Sequence, residues 1–165
     1  MCIRDRVEVA SGNLENQART ARYSAYQQHL KSHDILVLAH HQQDQAETVL
    51  LRLLSGAGVN GLSAMQELEN RENFQLWRPF LSLSREQIES WSMQLNLPFV
   101  QDQTNFDTQY DRAWCRQDVW PLLQQRYPKM QQALSRTSIL MQDANSILQE
   151  VLLQDTQYCG DTHQI

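Results

Sequence analysis

Hydrophobic and polar positions change period once within a short span, and that change locates the centre of the chain. An apolar run, Ile35 to Ala39, is bounded by Asp34 and His40 and reads as a buried strand. The next residues pass through a polar turn into a helical pattern that runs to about Leu54, with Asp44 placed to cap it. At 3.6 residues per turn Ala46, Val49, Leu50, Leu53 and Leu54 form one apolar stripe, expected to face the sheet. A strand that feeds a helix in this way puts the turn at the carboxyl edge of a sheet, where open α/β folds bind ligands.

The rest of the pattern is simpler. Leu14 to about Leu30 reads as a helix with Leu14, Ala18, Ala21 and Ala25 on one side. Leu76 to Phe80 is a short strand or extended piece, ended by proline. Ser84, with Gln87 three residues on, predicts a capped helix through about Leu95. Pro98-Phe99-Val100 looks extended and leads into a polar loop up to Asp111. A helix over 113–125 ends before Pro128, and 130–153 reads as one long helix. Gly56-Ala57-Gly58-Val59-Asn60-Gly61 matches the dinucleotide pattern G-x-G-x-x-G, but it follows a helix where the fingerprint requires a strand. Gly56 is therefore expected as a helix-terminating glycine, and the remainder as a flexible loop.

Chemistry gathers at the turn. Asp44 and Glu47 are three apart, so they are neighbours on a helix face away from the apolar stripe. Neither has Lys or Arg three or four residues further on, which leaves the pair without a local cation. First-turn acids that merely complement the helix dipole are the ordinary alternative. Paired anions beside His41 and Gln45 otherwise suit a cationic ligand, an ammonium group or Mg²⁺ held with a nucleotide. A zinc reading of His40, His41 and Asp44 is set aside, since catalytic zinc wants three well-placed ligands. Arg112 and Arg116, four apart, share a helix face, either in surface salt bridges to Asp111 or Asp118 or at a site. Arg19 and Arg22 either face water or reach a ligand, and Asp102 and Asn105 are equally turn formers.

Composition narrows the class. The 41% hydrophobic content is enough for a core, and no apolar run is long enough to span a membrane, so no membrane partner is expected. Cys2, Cys115 and Cys159 are scattered, with no C-x-x-C, which argues against a metal-cluster framework and for a reducing, cytoplasmic compartment. The net charge of −5 and pI near 5.5 deny a general basic footprint for nucleic acid. Any grip on RNA phosphates would fall to local arginines or to further domains.

The segment A-H-H-Q-Q-D-Q-A-E-T-V-L-L-R-L-L-S-G-A-G-V-N-G-L, beginning at Ala39, resembles the second signature of the tRNA(Ile)-lysidine synthases, which are PP-loop ATP pyrophosphatases. Asn16 to Tyr23 resembles that family's A-R-x-x-R-Y helix. Trp77-Arg78-Pro79-Phe80-Leu81, Asp102-Gln103-Thr104-Asn105 and Asp107 to Arg116 resemble its R-P-L-L and D-x-x-N…R-N-x-x-R segments. The likeness runs from about Leu14 to about Tyr127 in order and spacing. Two departures stand out: no S-G-G-x-D-S loop occurs in the chain, and Ala113 replaces the usual Asn after Arg112.

The resemblance implies an α/β fold, a partial Rossmann-like parallel sheet of the adenine nucleotide alpha-hydrolase type with flanking helices, followed by a helical segment. Residues 1–10 are expected as a non-native or truncated start and 11–128 as the C-terminal half of the PP-loop domain. Residues 129–165 are then a helical linker or the start of a next domain. The implied reaction uses ATP and Mg²⁺ to adenylate C2 of the wobble cytidine in tRNA(Ile) with a CAU anticodon. The ε-amine of L-lysine then displaces AMP. Asp44, Glu47 and Arg112 would be catalytic, His41, Gln45 and Arg116 substrate-binding, and Arg19 and Arg22 nucleotide-binding, with no resident metal ligand. A homodimer is a further expectation for an intact enzyme, and a fragment without the phosphate loop is expected to be inactive. The alternatives are another PP-loop tRNA-modifying enzyme such as a cytidine thiolase, which typically uses C-x-x-C cysteines, or a non-catalytic helical binding module.

Overall fold

The computed structural model describes residues 14–98 and 110–161, so the expectations for Phe99 and Val100 and for Asp102, Asn105 and Asp107 lie outside the described residues. Helix α1 spans Leu14–His29, β1 Asp34–Val37, α2 Gln42–Leu54, α3 Val59–Leu62, β2 Leu68–Asn70, β3 Phe74–Trp77 and α4 Arg85–Gln94. After them come α5 (Asp111–Trp114), a π-helical turn (Cys115–Val119), α6 (Trp120–Arg126) and α7 (Met130–Asp161). The chain divides into two compact units. One runs to Leu38 and includes Leu68–Trp77; the other comprises Ala39–Glu67 and the residues from Arg78 onward.

In the first unit the strand order is β1-β3-β2. β1 and β3 run parallel with Ile35 opposite Gln75 and Val37 opposite Trp77, while the short β2, which the sequence pattern did not predict, adds an antiparallel edge. The α/β class holds, but the sheet is mixed. β3 ends at Trp77 because Pro79 has no N–H to continue a ladder. Phe74 and Leu76 are buried and alternate with exposed Gln75 and Trp77. β1 corrects the expectation of a buried strand: Ile35 and Val37 are 53% and 55% exposed. Register explains it, since these two share a sheet face with Gln75 and Trp77, and that face is open to solvent here.

The second unit is helical. α2 starts earlier than expected, so His41 rather than Asp44 is its cap. The His41 Nδ1 accepts the Gln43 N–H at 3.2 Å, and Asp44 Oδ2 accepts the His41 N–H at 3.0 Å, the two halves of a capping box. At the other end Gly56 adopts φ +76°. Its N–H donates to the Leu53 carbonyl and the Ala57 N–H to the Arg52 carbonyl, which is the Schellman pattern that a left-handed glycine permits. The stretch beyond is not a flexible loop: it winds into α3, and Arg52 Nη1 donates to the carbonyl of Gly61 at 2.7 Å. α4 has the predicted cap, with Ser84 and Gln87 exchanging hydrogen bonds.

The stripe on α2 finds helical partners. Ala46 joins Cys115, Trp120 and Met130 in a buried cluster, with Leu50, Leu51, Val119, Leu123 and Leu134 packed around it. Leu53 and Leu54 correct the expected extent of the stripe, being more than half exposed. The long helix α7 lies against α2 and α3, so its first turns belong to the same core as α2.

Candidate functional site

The capping box fixes the first turn of α2, and the helix period puts Asp44 and Glu47 on one face of it. Across from them the π-helical turn presents Arg116. Its Nε donates to Glu47 Oε1 at 2.6 Å, and its Nη2 donates to Glu47 Oε2 at 2.8 Å and to Asp44 Oδ1 at 3.0 Å. This forked contact is the geometry in which guanidinium and carboxylate bind most strongly. The cation that the local windows lack thus arrives from 69 and 72 residues away. Gln43 Nε2 adds a fourth contact, donating to Glu47 Oε1 at 3.0 Å, and the His41 Nε2 stands 3.6 Å from Asp44 Oδ2. The solvated-cap alternative fails for Glu47, whose side chain is 0% exposed, against 14% for Asp44 and 28% for Arg116.

Electrostatics follow from that packing. Burial opposes the charge on Arg116, but the hydrogen bond and charge of Glu47, then the charge of Asp44, outweigh it and hold the guanidinium above its ordinary value. Cys115, next in sequence, is pushed up to about 11 by burial first and by the Glu47 charge second, so it is a neutral thiol near pH 7.

The remaining candidates divide. Arg112 Nη2 donates to Thr48 Oγ1 at 3.4 Å, and that hydroxyl donates to the Asp44 carbonyl at 2.7 Å, so both arginines of the 112/116 pair reach α2. Neither the Asp111 nor the Asp118 pairing is what holds Arg116. Gln45, expected among the substrate-binding residues, is buried. It is 3% exposed, its Nε2 donates to the Met65 carbonyl and Ser138 Oγ, and its Oε1 accepts the Met65 N–H. Arg19 and Arg22 are exposed on α1 in the other unit, where the Arg19 guanidinium lies 5.0 Å from the Tyr23 ring centroid. Among the described residues no group of three or more His, Cys, Asp or Glu is arranged to hold a metal ion, and no helix is long and apolar enough to cross a membrane. Sequence reasoning missed Gln43 and Thr48. Gln43 was within reach of it, because Gln43 and Glu47 have the i, i+4 spacing at which helix side chains meet.

A family model described as a PP-loop domain matches residues 2–123. Among curated relatives, the tRNA(Ile)-lysidine synthase of Acinetobacter baylyi is 66% identical over 159 residues, which is 96% of this chain and 35% of that protein. The enzyme of the same name from Proteus mirabilis is 43% identical over 164 residues, 98% of this chain and 37% of the relative. That from Legionella pneumophila (strain Lens) is 43% identical over 145 residues, 88% and 34%. The chain spans about a third of the length of the curated relatives it matches.

Proposed function

Since the chain belongs to the PP-loop domain family, we propose that it forms part of an ATP-dependent ligase that joins L-lysine to C2 of the wobble cytidine of tRNA(Ile). The names of its relatives support the reaction class. The observation that carries the reading to residues is the α2 cluster, in which two carboxylates of one helical turn share the guanidinium of Arg116 while Asp44 keeps contact with solvent. A carboxylate in that position suits an ammonium group.

ATP, as substrate, supplies the adenylyl group that turns the cytidine C2 oxygen into a leaving group. The chain contributes the surroundings. Asp44, the α2 acid in contact with solvent, draws in the ammonium end of lysine and orients the amine, which must lose a proton before it attacks; a nearby carboxylate can accept it. The largest gain is positional, because amine and activated carbon must meet in one geometry. Arg112, held against α2 through Thr48, offers a guanidinium to phosphate charge that develops as the leaving group departs. His41 keeps Asp44 in place, and Gln45 secures the helix from beneath. Arg19 and Arg22 are assigned to the nucleotide phosphates. The described residues do not fit Mg²⁺: among them no group of three or more His, Cys, Asp or Glu is arranged to hold a metal ion, so no step is assigned to the ion.

The test is a chimera in which this chain's matched stretch replaces that of the Acinetobacter enzyme, assayed for lysine transfer to tRNA(Ile) bearing a CAU anticodon. Lysine joined to the wobble cytidine is expected. A folded chimera that transfers no lysine, or that thiolates the cytidine, would contradict the proposal.

A further inference from the structure

We infer that the two acids of α2 do different work: Glu47 is a positioning residue that acts through Arg116, and Asp44 is the carboxylate left open to an incoming cation. This division rests on the ligase reading above. Glu47 is fully enclosed and its two oxygens already accept from Arg116 Nε, Arg116 Nη2 and Gln43 Nε2. An ammonium group could reach it only by displacing a forked guanidinium from a site without solvent, which exchanges two charge-assisted bonds for one. Asp44 spends Oδ1 on Arg116 and Oδ2 on the His41 N–H, yet its side chain keeps contact with solvent.

The link between them is Arg116 Nη2, which bridges Glu47 Oε2 and Asp44 Oδ1. Glu47 therefore sets where the guanidinium sits, and the guanidinium fixes one oxygen of Asp44 while the capping box fixes the other. Gln43 completes the arrangement from the preceding helical turn.

The test combines two measurements. In the chimera, Glu47→Gln and Arg116→Met should each lower kcat/KM for lysine by about 10², the cost of mispositioning a reacting group. The double variant should be no worse than the poorer single one, because both changes remove the same support. Losses that multiply to about 10⁴ would show Glu47 touching lysine independently and would overturn the inference. Arg116→Lys keeps charge without the fork and should fall between wild type and Arg116→Met. Asp44→Asn should instead raise KM for lysine by at least about tenfold, and an unchanged KM would equally overturn the division. In the 165-residue chain itself the Arg116 Nε–H resonance should be shifted downfield and slow to exchange. Glu47→Gln should abolish that signature and Asp44→Asn should leave it. Persistence in Glu47→Gln would refute the positioning role whether or not the chimera makes lysidine, so failure of the ligase reading remains distinguishable.

Discussion

Replacing Gln45 by Leu separates a structural amide from a ligand-binding one. Leu nearly matches Gln in volume, so packing is largely kept and the loss is in hydrogen bonds. The Met65 N–H donates to Gln45 Oε1 at 3.0 Å and would be left buried without that acceptor. An unsatisfied buried donor costs about 1–3 kcal/mol. The Met65 carbonyl loses the Gln45 amide at 2.8 Å but keeps Gln142 Nε2 at 3.0 Å, and Ser138 still donates to the Ser135 carbonyl at 2.7 Å. Those two losses are small. The expected total is about 2 kcal/mol, or roughly 4–8 °C in Tm for a chain of this size. Gln45→Glu should be worse, because it would set a carboxylate oxygen against the Met65 carbonyl. Thermal and urea unfolding followed by circular dichroism give the answer. A Gln45→Leu chain within about 0.5 kcal/mol of wild type, the spread of ordinary surface changes, would refute the buried network and return Gln45 to an open site.

Arg116→Met should destabilise the fold by about 3 kcal/mol, since it strips the partner from an enclosed carboxylate; urea unfolding measures it, and the further change Glu47→Met should recover much of the loss. Gly56→Ala should cost about 1 kcal/mol at a φ of +76°. Gly61→Ala should also destabilise, because the added methyl would lie 2.5 Å from the Ala57 Cβ; the same unfolding curves check both. Cys115 should resist alkylation at pH 8 in the native chain and react once the chain is unfolded, read by peptide mapping. Its raised value means that the unfolded state ionises first, so its share of stability is intact below about pH 9 and is lost as pH rises toward 11.

Helix positions were legible because they depend on local spacing: the Ser84–Gln87 box and the Gly56 terminus are both encoded within a few residues. β2 escaped notice because Leu-Glu-Asn has neither length nor alternation, and it exists only as an edge paired to β3. The burial of β1 was misread because an apolar run does not say which of its faces is covered. At the site, the Asp44 and Glu47 pair stood out from their spacing, while their partner did not. Arg116 sits about seventy residues on, and only folding brings it to α2. The burial of Gln45 was hidden for the same reason, since its partners Met65 and Ser138 come from distant segments.

Lysine transfer in the chimera depends on the charge of Asp44, and one assay reads that dependence most directly. Asp44→Asn in the chimera keeps size and one of the two acceptor oxygens while removing one negative charge. Lysine incorporation into tRNA(Ile), at subsaturating lysine and matched folded fraction, should fall by at least about tenfold, following the raised KM. Glu69→Gln, a change on β2 outside the cluster, should leave the rate unaltered. Near wild-type incorporation by Asp44→Asn would contradict the account and leave the cluster a purely structural clasp between α2 and the π-helical turn.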